Sequence, residues 1–153
     1  MMNSMKVKSS VVMLAVLVLA CLASCATQRG GNGIPYKEAH NYFFRNDASI
    51  PSAPVCSTQA DFDKLYGVAA FMGKDGQPTQ IDFSRQFVIG IVLSETSDET
   101  TIIPGKLTRS GGTLTLQYSV QTGEKNRTYT ILPIKLLVVD NKYKAGNCVL
   151  LKK

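Results

Sequence analysis

Between Phe87 and Val120 the chain carries two hydrophobic patterns that only β-sheet can use. Phe87-Val-Ile-Gly-Ile-Val-Leu93 is an unbroken apolar run, short and rich in β-branched residues. Such a run predicts a central strand buried on both faces. Thr113-Leu-Thr-Leu-Gln-Tyr-Ser-Val120 instead alternates at every position. Leu114, Leu116, Tyr118 and Val120 share one face, and the threonines, Gln117 and Ser119 share the other, as on a strand covered on one side. Ser110-Gly111-Gly112 reads as the hairpin turn joining it to a strand over Ile102–Thr108, where Pro104 predicts an edge or a bulge.

The flanking segments add further strands. His40–Arg45 is aromatic and reads as a first strand, after which Asn46-Asp47, Pro51 and Pro54 mark an irregular connection. Thr58 can cap a helix of about nine residues, with Asp61 three residues on, Phe62, Leu65 and Tyr66 on one face, and Gly67 as its stop. Val68–Met72 continues as a bent turn or short strand, and Gly73–Pro78 is a loop. Arg127–Leu132 reads as a strand ended by Pro133, and Ile134–Val139 and Asn147–Leu151 as a pair joined across Asp140–Gly146. No repeat of fixed period occurs. The expected class is α+β: a mainly antiparallel, strongly curled sheet of six to seven strands, at the limit a half-barrel, with one short helix packed on it.

The beginning of the chain is an address. Lys6 and Lys8 precede an apolar run from Val11 to Leu22, followed by Leu22-Ala23-Ser24-Cys25. A positive start, a short apolar segment and small residues at the end make a secretory signal, and the run is too short for the ~20 residues that span a bilayer as a helix. The tetrad resembles the lipobox of bacterial lipoproteins, in which cleavage precedes the cysteine and the thiol takes a diacylglycerol. That resemblance implies a signal peptide over 1–24, an acylated (palmitate-type) Cys25 heading a flexible tether over 25–39, and a single domain over 40–153. Competing readings are cleavage near Ala23 or Ala26 without lipid, and an uncleaved anchor; Cys21 ends a second, poorer box. The expected location is the bacterial cell envelope, with the protein lipid-anchored in the outer membrane. The residues after Cys25 lack an acidic run, which favours the periplasmic side.

The formal charge is +6, and loss of Lys6 and Lys8 lowers it by two. The remaining cations stand singly, without a basic block interleaved with aromatics, so nucleic acid is not an expected partner. Cys56 and Cys148 remain after export. In an oxidising compartment they are expected to form a disulfide, worth about 4–5 kcal/mol on chain-entropy grounds for a loop of this length, with two buried free thiols as the alternative.

Catalytic groups are sparse. His40 is the single histidine, and a Cys56–His40 dyad is outweighed by a disulfide role for the cysteine and exposure of the histidine. No zinc-ligand spacing, P-loop or dinucleotide fingerprint occurs, and no cofactor is expected. Glu95, Asp98 and Glu99 could hold calcium only loosely, because the loop lacks calcium-loop spacing. Asn126-Arg127-Thr128 matches a glycosylation sequon that is idle in most bacterial contexts.

One resemblance concerns the domain. Thr58-Gln-Ala-Asp-Phe-Asp-Lys-Leu65, then Ile81-Asp82-Phe83-Ser84, then the strand Phe87–Leu93 resemble the C-terminal domain of the PrcB subunit of a bacterial protease complex. The arrangement is also similar to small lipoproteins of Bacteroides-type gut and oral bacteria. The likeness covers roughly 57–139. Where PrcB-like domains carry a glycine-rich turn after the apolar strand, this chain has Ser97-Asp98-Glu99-Thr100-Thr101. The resemblance implies a non-enzymatic accessory module that binds another envelope protein, such as a protease, through a loop or sheet edge. The candidate binding loop is Glu95, Thr96, Ser97, Asp98 and Glu99, followed by Gln121–Asn126. The alternative is a small-ligand (lipid, peptide or glycan) binding lipoprotein, with Tyr42, Phe62, Tyr66 and Tyr118 lining a space between helix and sheet.

Overall fold

The computed structural model describes residues 33–69, 72–73 and 75–153. The expected signal segment, Cys25 and the first part of the expected tether lie outside the described residues.

The described chain forms nine strands and one α-helix. In order they are β1 (Lys37–Ala39), β2 (Tyr42–Phe44), β3 (Val55–Cys56), α1 (Gln59–Leu65), β4 (Tyr66–Val68), β5 (Gln86–Val92), β6 (Thr100–Ser110), β7 (Thr113–Thr122), β8 (Ile134–Asp140) and β9 (Asn147–Lys152). They make three sheets: a four-stranded one in the order β1-β8-β5-β3, a β2-β4 pair, and a three-stranded one in the order β6-β7-β9. Pairing is antiparallel except between β7 and β9, which run parallel.

The expected single curled sheet is therefore replaced by layers, none closed or strongly curled. The reason lies in β5 and β8. Phe87, Ile89, Ile91, Leu137 and Val139 pack with Ile102, Leu107, Leu114 and Leu116 of the three-stranded sheet. Val88, Leu136 and Val138, the alternate residues, pack with Phe44, Phe62 and Tyr66 beneath α1 and the β2-β4 pair. Strands apolar on both faces need a cover on each side, and a single sheet with a wet outer face cannot supply two.

Four further expectations are corrected. Folded structure begins before His40: the Ile34 amide donates to the Leu107 carbonyl at 2.7 Å, the Tyr36 hydroxyl donates to the Gly105 carbonyl at 2.8 Å, and β1 pairs with β8. Arg127–Leu132 is not a strand; its sole ladder contact is an isolated bridge between Thr96 and Ile131. β8 and β9 do not pair with each other. β8 is apolar on both faces and takes the middle of the doubly covered sheet, whereas β9 alternates half-buried Cys148 and Leu150 with exposed Val149 and Leu151 and joins the sheet covered on one side. Gly67 does not stop the helix. Tyr66 is already extended, and Gly67 lies in β4 opposite Phe43, whose ring would sit 2.5 Å from an added Cβ.

Other local readings are met. The β6–β7 register slips between Pro104 and Leu107, the β-bulge that the proline foretold. Gly111, at φ +56, turns the hairpin. Thr58 caps α1: its Oγ1 accepts the Asp61 amide at 3.1 Å and donates to Asp61 Oδ2 at 2.8 Å. The hydroxyl bond from Thr58, then Lys64 at 3.2 Å, holds the Asp61 carboxyl below its usual range. Thr58→Ala is expected to lower stability by about 1 kcal/mol. Urea titration should show the shift as a lower midpoint at unchanged slope.

Candidate functional site: two loops tied into one platform

The two candidate loops meet. β5 ends at Val92 and β6 begins at Thr100, so the connection between them crosses from the four-stranded to the three-stranded sheet. The chain from Gly123 to Leu132 returns from β7 to β8 beside it. Each of the five candidate residues bonds to that second segment. Glu95 Oε1 accepts the Thr130 hydroxyl. Thr96 and Ile131 exchange amide–carbonyl bonds of 2.9 and 2.8 Å. The Ser97 carbonyl accepts the Arg127 amide at 2.9 Å, and Asp98 Oδ1 accepts the Asn126 amide at 2.9 Å. Glu99 donates its amide to the Glu124 carbonyl at 2.7 Å, and its own carbonyl accepts the Gly123 amide at 2.9 Å.

Arg127 is the centre of the join. Its guanidinium lies 2.8 Å from Glu99 Oε2 and 3.3 Å from Glu124 Oε2, donates to the Tyr129 hydroxyl at 3.1 Å, and stands 5.8 Å from that ring's centre. Asn126 adopts φ +55, a left-handed conformation that asparagine tolerates, and so turns Arg127 back toward Glu99. A Cβ on Gly123 would fall 2.6 Å from Glu99 Oε2, so a bare glycine lets that carboxylate in. A shallow cleft of about 290 Å³ opens between Glu124, Asn126, Arg127, Thr128 and Tyr129. The Tyr129 side of the platform is exposed.

This arrangement assigns the acidic residues a structural task. Asp98 and Glu99 are occupied by backbone amides and by Arg127, which leaves them poorly placed to gather around a cation, and no cluster of metal-binding side chains occurs among the described residues. The outward chemistry is the Tyr129 ring, the Thr128 hydroxyl and the Glu124 and Lys125 side chains, with Arg127 half-buried behind them. Sequence reasoning missed Arg127 and Tyr129, because Arg-Thr-Tyr-Thr-Ile has the residue types of a strand.

The other candidate residues are dispersed. Tyr42, Phe62 and Tyr66 do not line a space. They fill one, with the Phe62 ring centre 5.1 Å from Tyr42 and 4.9 Å from Tyr66. Tyr118 packs on the opposite side of the four-stranded sheet. Asp82 is a turn acid: its Oδ1 accepts the Ser84 amide at 3.0 Å and hydroxyl at 2.6 Å, which hold its carboxyl below the usual range.

Cys56 and Cys148 are both free, contrary to the expected disulfide. Strand alternation explains it. Val55 faces the layer shared with β6, β7 and β9, so its neighbour Cys56 faces the layer under α1, while Cys148 belongs to the first layer. The central sheet stands between the two thiols. Burial pushes each up to about 11, the reverse of what an activated cysteine nucleophile needs. We expect a non-reducing peptide map to return both cysteines unlinked and a reductant to leave the melting temperature unchanged. At pH 8 both thiols therefore stay protonated, and alkylation of the folded chain should be slow. Compared with known protein families, curated proteins and solved structures, the chain has no match.

Proposed function

We propose that this chain is a non-enzymatic lipoprotein of the bacterial envelope, anchored through Cys25, whose domain binds another protein with the paired loops. The observation that supports this reading is the cross-tying of Glu95–Glu99 to Gly123–Ile131. A surface loop held by this many bonds has lost much of its freedom before a partner arrives, so docking costs less ordering entropy. Tyr129, at its exposed side, is of a residue type that dominates binding energy at protein interfaces, and the half-buried Arg127 holds it in place. The likeness of Thr58–Leu65, Ile81–Ser84 and Phe87–Leu93 to the PrcB C-terminal domain points to a protease or its accessory subunit as the partner class.

A photo-crosslinking residue at Thr128 in the full chain, expressed in the envelope of a lipoprotein-processing host, tests the site. The expected result is a discrete product that disappears with Tyr129→Ala and is absent when the crosslinker is at Thr115, on the outer face of β7. Equal products from both positions, or none, would remove the loops from the proposal. Cys25→Ser tests the anchor separately, by moving the protein from the membrane to the soluble fraction.

A further inference from the structure

Among the described residues, the sandwich of the two larger sheets is open along one side. Four strands form the edges of its two larger sheets, and three of them are blunted against further pairing. β1 has three residues, two of them charged (Lys37, Glu38); β3 has two residues and follows Pro54; β6 carries Pro104 and a bulge. β9 has six residues in unbroken register with β7, and contains neither proline nor glycine. Native sheets protect long edges because free N–H and C=O groups recruit another strand. Outside the strand ladders, the backbone bonds made at the ends of β9 go to Gly112 and Tyr118, both on the β7 side.

The side chains register the same opening. Leu114 and Leu116 of β7 are fully buried, yet their register partners Cys148 and Leu150, on the same face, stay half-buried. Beside them lies a cleft of about 350 Å³ lined by Ile50, Pro51, Pro54, Val92 and Leu150, with no charged side chain among the described residues of its walls. On the outer face Val149 and Leu151 are 50% and 46% exposed. The strand is thus apolar on both faces at its centre, and its charge is confined to Lys152 and the following Lys153.

We propose that β9 pairs antiparallel with β9 of a second copy across a two-fold axis near Leu150. The apolar centre of the strand, matched residue for residue by its own copy, selects the occupant, and charge selects the direction. Parallel pairing would stack the two lysine pairs, whereas the antiparallel pair sets them at opposite ends of the ribbon, roughly 20 Å apart for six residues of strand. The contact is self-complementary, as a two-fold contact must be. The inward Cys148 and Leu150 of each copy extend the inner layer over the other's cleft, and Val149 and Leu151 meet across the join. The product is a continuous six-stranded sheet. With a small footprint, association is expected in the micromolar range, which shared anchoring in one membrane would strengthen.

Sedimentation equilibrium of the full chain in detergent, from about 1 to 200 µM, tests it. The wild type should dimerise within that range. Val149→Lys with Leu151→Lys places like charges along the join and should weaken association at least about tenfold, with unchanged circular dichroism. Thr115→Lys, on the outer face of β7, should leave dimerisation intact. If the double variant fails to fold, Val149→Cys combined with Leu151→Cys decides, because these two positions face each other across the axis: mild oxidation should link two copies. A wild type that stays monomeric, a dimer that survives the double lysine variant, or a Val149→Cys/Leu151→Cys chain that does not cross-link would each overturn the proposal.

Discussion

Phe62→Ala is expected to cost about 4 kcal/mol and to loosen one whole layer of the molecule. Phe62 is the single fully buried residue of α1, 2% exposed, and its ring touches Tyr42, Tyr66 and Phe83, with centres 5.1, 4.9 and 5.6 Å away. Truncating a buried phenylalanine removes its transfer free energy and leaves a cavity, together about 3–5 kcal/mol. The site has little means of collapsing, because Val88, Leu136 and Val138 beneath it belong to a rigid four-stranded sheet. A helix of seven residues has no stability of its own and depends on what it covers. Urea denaturation should therefore report a loss of about 4 kcal/mol, and hydrogen exchange should accelerate in α1, β2 and β4 more than in β6 and β7. Asp63→Ala, on the exposed side of the same helix, should change stability by less than about 0.5 kcal/mol. A loss below about 1.5 kcal/mol for Phe62→Ala would mean that the layer is held by something other than this ring.

The second large effect comes from adding atoms. Glycine inside a strand normally weakens it, so Gly90→Ala in β5 would stabilise by up to about 1 kcal/mol on backbone grounds alone. The opposite is expected. An added Cβ would fall 2.1 Å from the Tyr66 hydroxyl oxygen and 3.1 Å from Cζ, in a layer where Tyr66 is buried between Phe44 and Phe62. That burial also raises the Tyr66 hydroxyl's pKa, so the group stays a neutral phenol. The ring has to move against its neighbours, and overpacking of this kind costs about 1–3 kcal/mol. We expect Gly90→Ala to lose about 3 kcal/mol, near the top of that range, and Tyr66→Phe to restore more than half of the loss when combined with it. The double-mutant cycle should give a coupling of at least about 1.5 kcal/mol. Additive effects would show that the glycine is needed for another reason.

Several elements were legible in the sequence because their causes are local. The cap at Thr58 depends on a hydroxyl and an amide three residues on. The turn at Gly111 depends on a positive φ, and the bulge after Pro104 on a missing N–H. Burial of β5 on both faces follows from its composition. Pairings between distant segments were not legible. Arg127–Leu132 has strand chemistry but no free neighbour to pair with, so its groups turn to the Glu95–Glu99 loop instead. The candidate loop and the Gln121–Asn126 end of its partner are legible in the sequence, whereas Arg127–Leu132 reads as a strand. The function of Arg127 as the tie between the two could not be read without their contact.

The two cysteines draw the same line most sharply. Their number and their positions on strands are properties of the sequence. Whether they meet depends on which side of a sheet each one faces, and a shift of one residue along β3 reverses that. Local chemistry, with a range of a few residues, fixed the helix cap, the hairpin, the bulge and the apolar strands. The division into three sheets, the parallel union of β9 with β7, and the separation of Cys56 from Cys148 were decided only when β5 and β8 demanded a cover on each face. That demand is met by segments far away in the chain, and no local pattern records which of them will meet it.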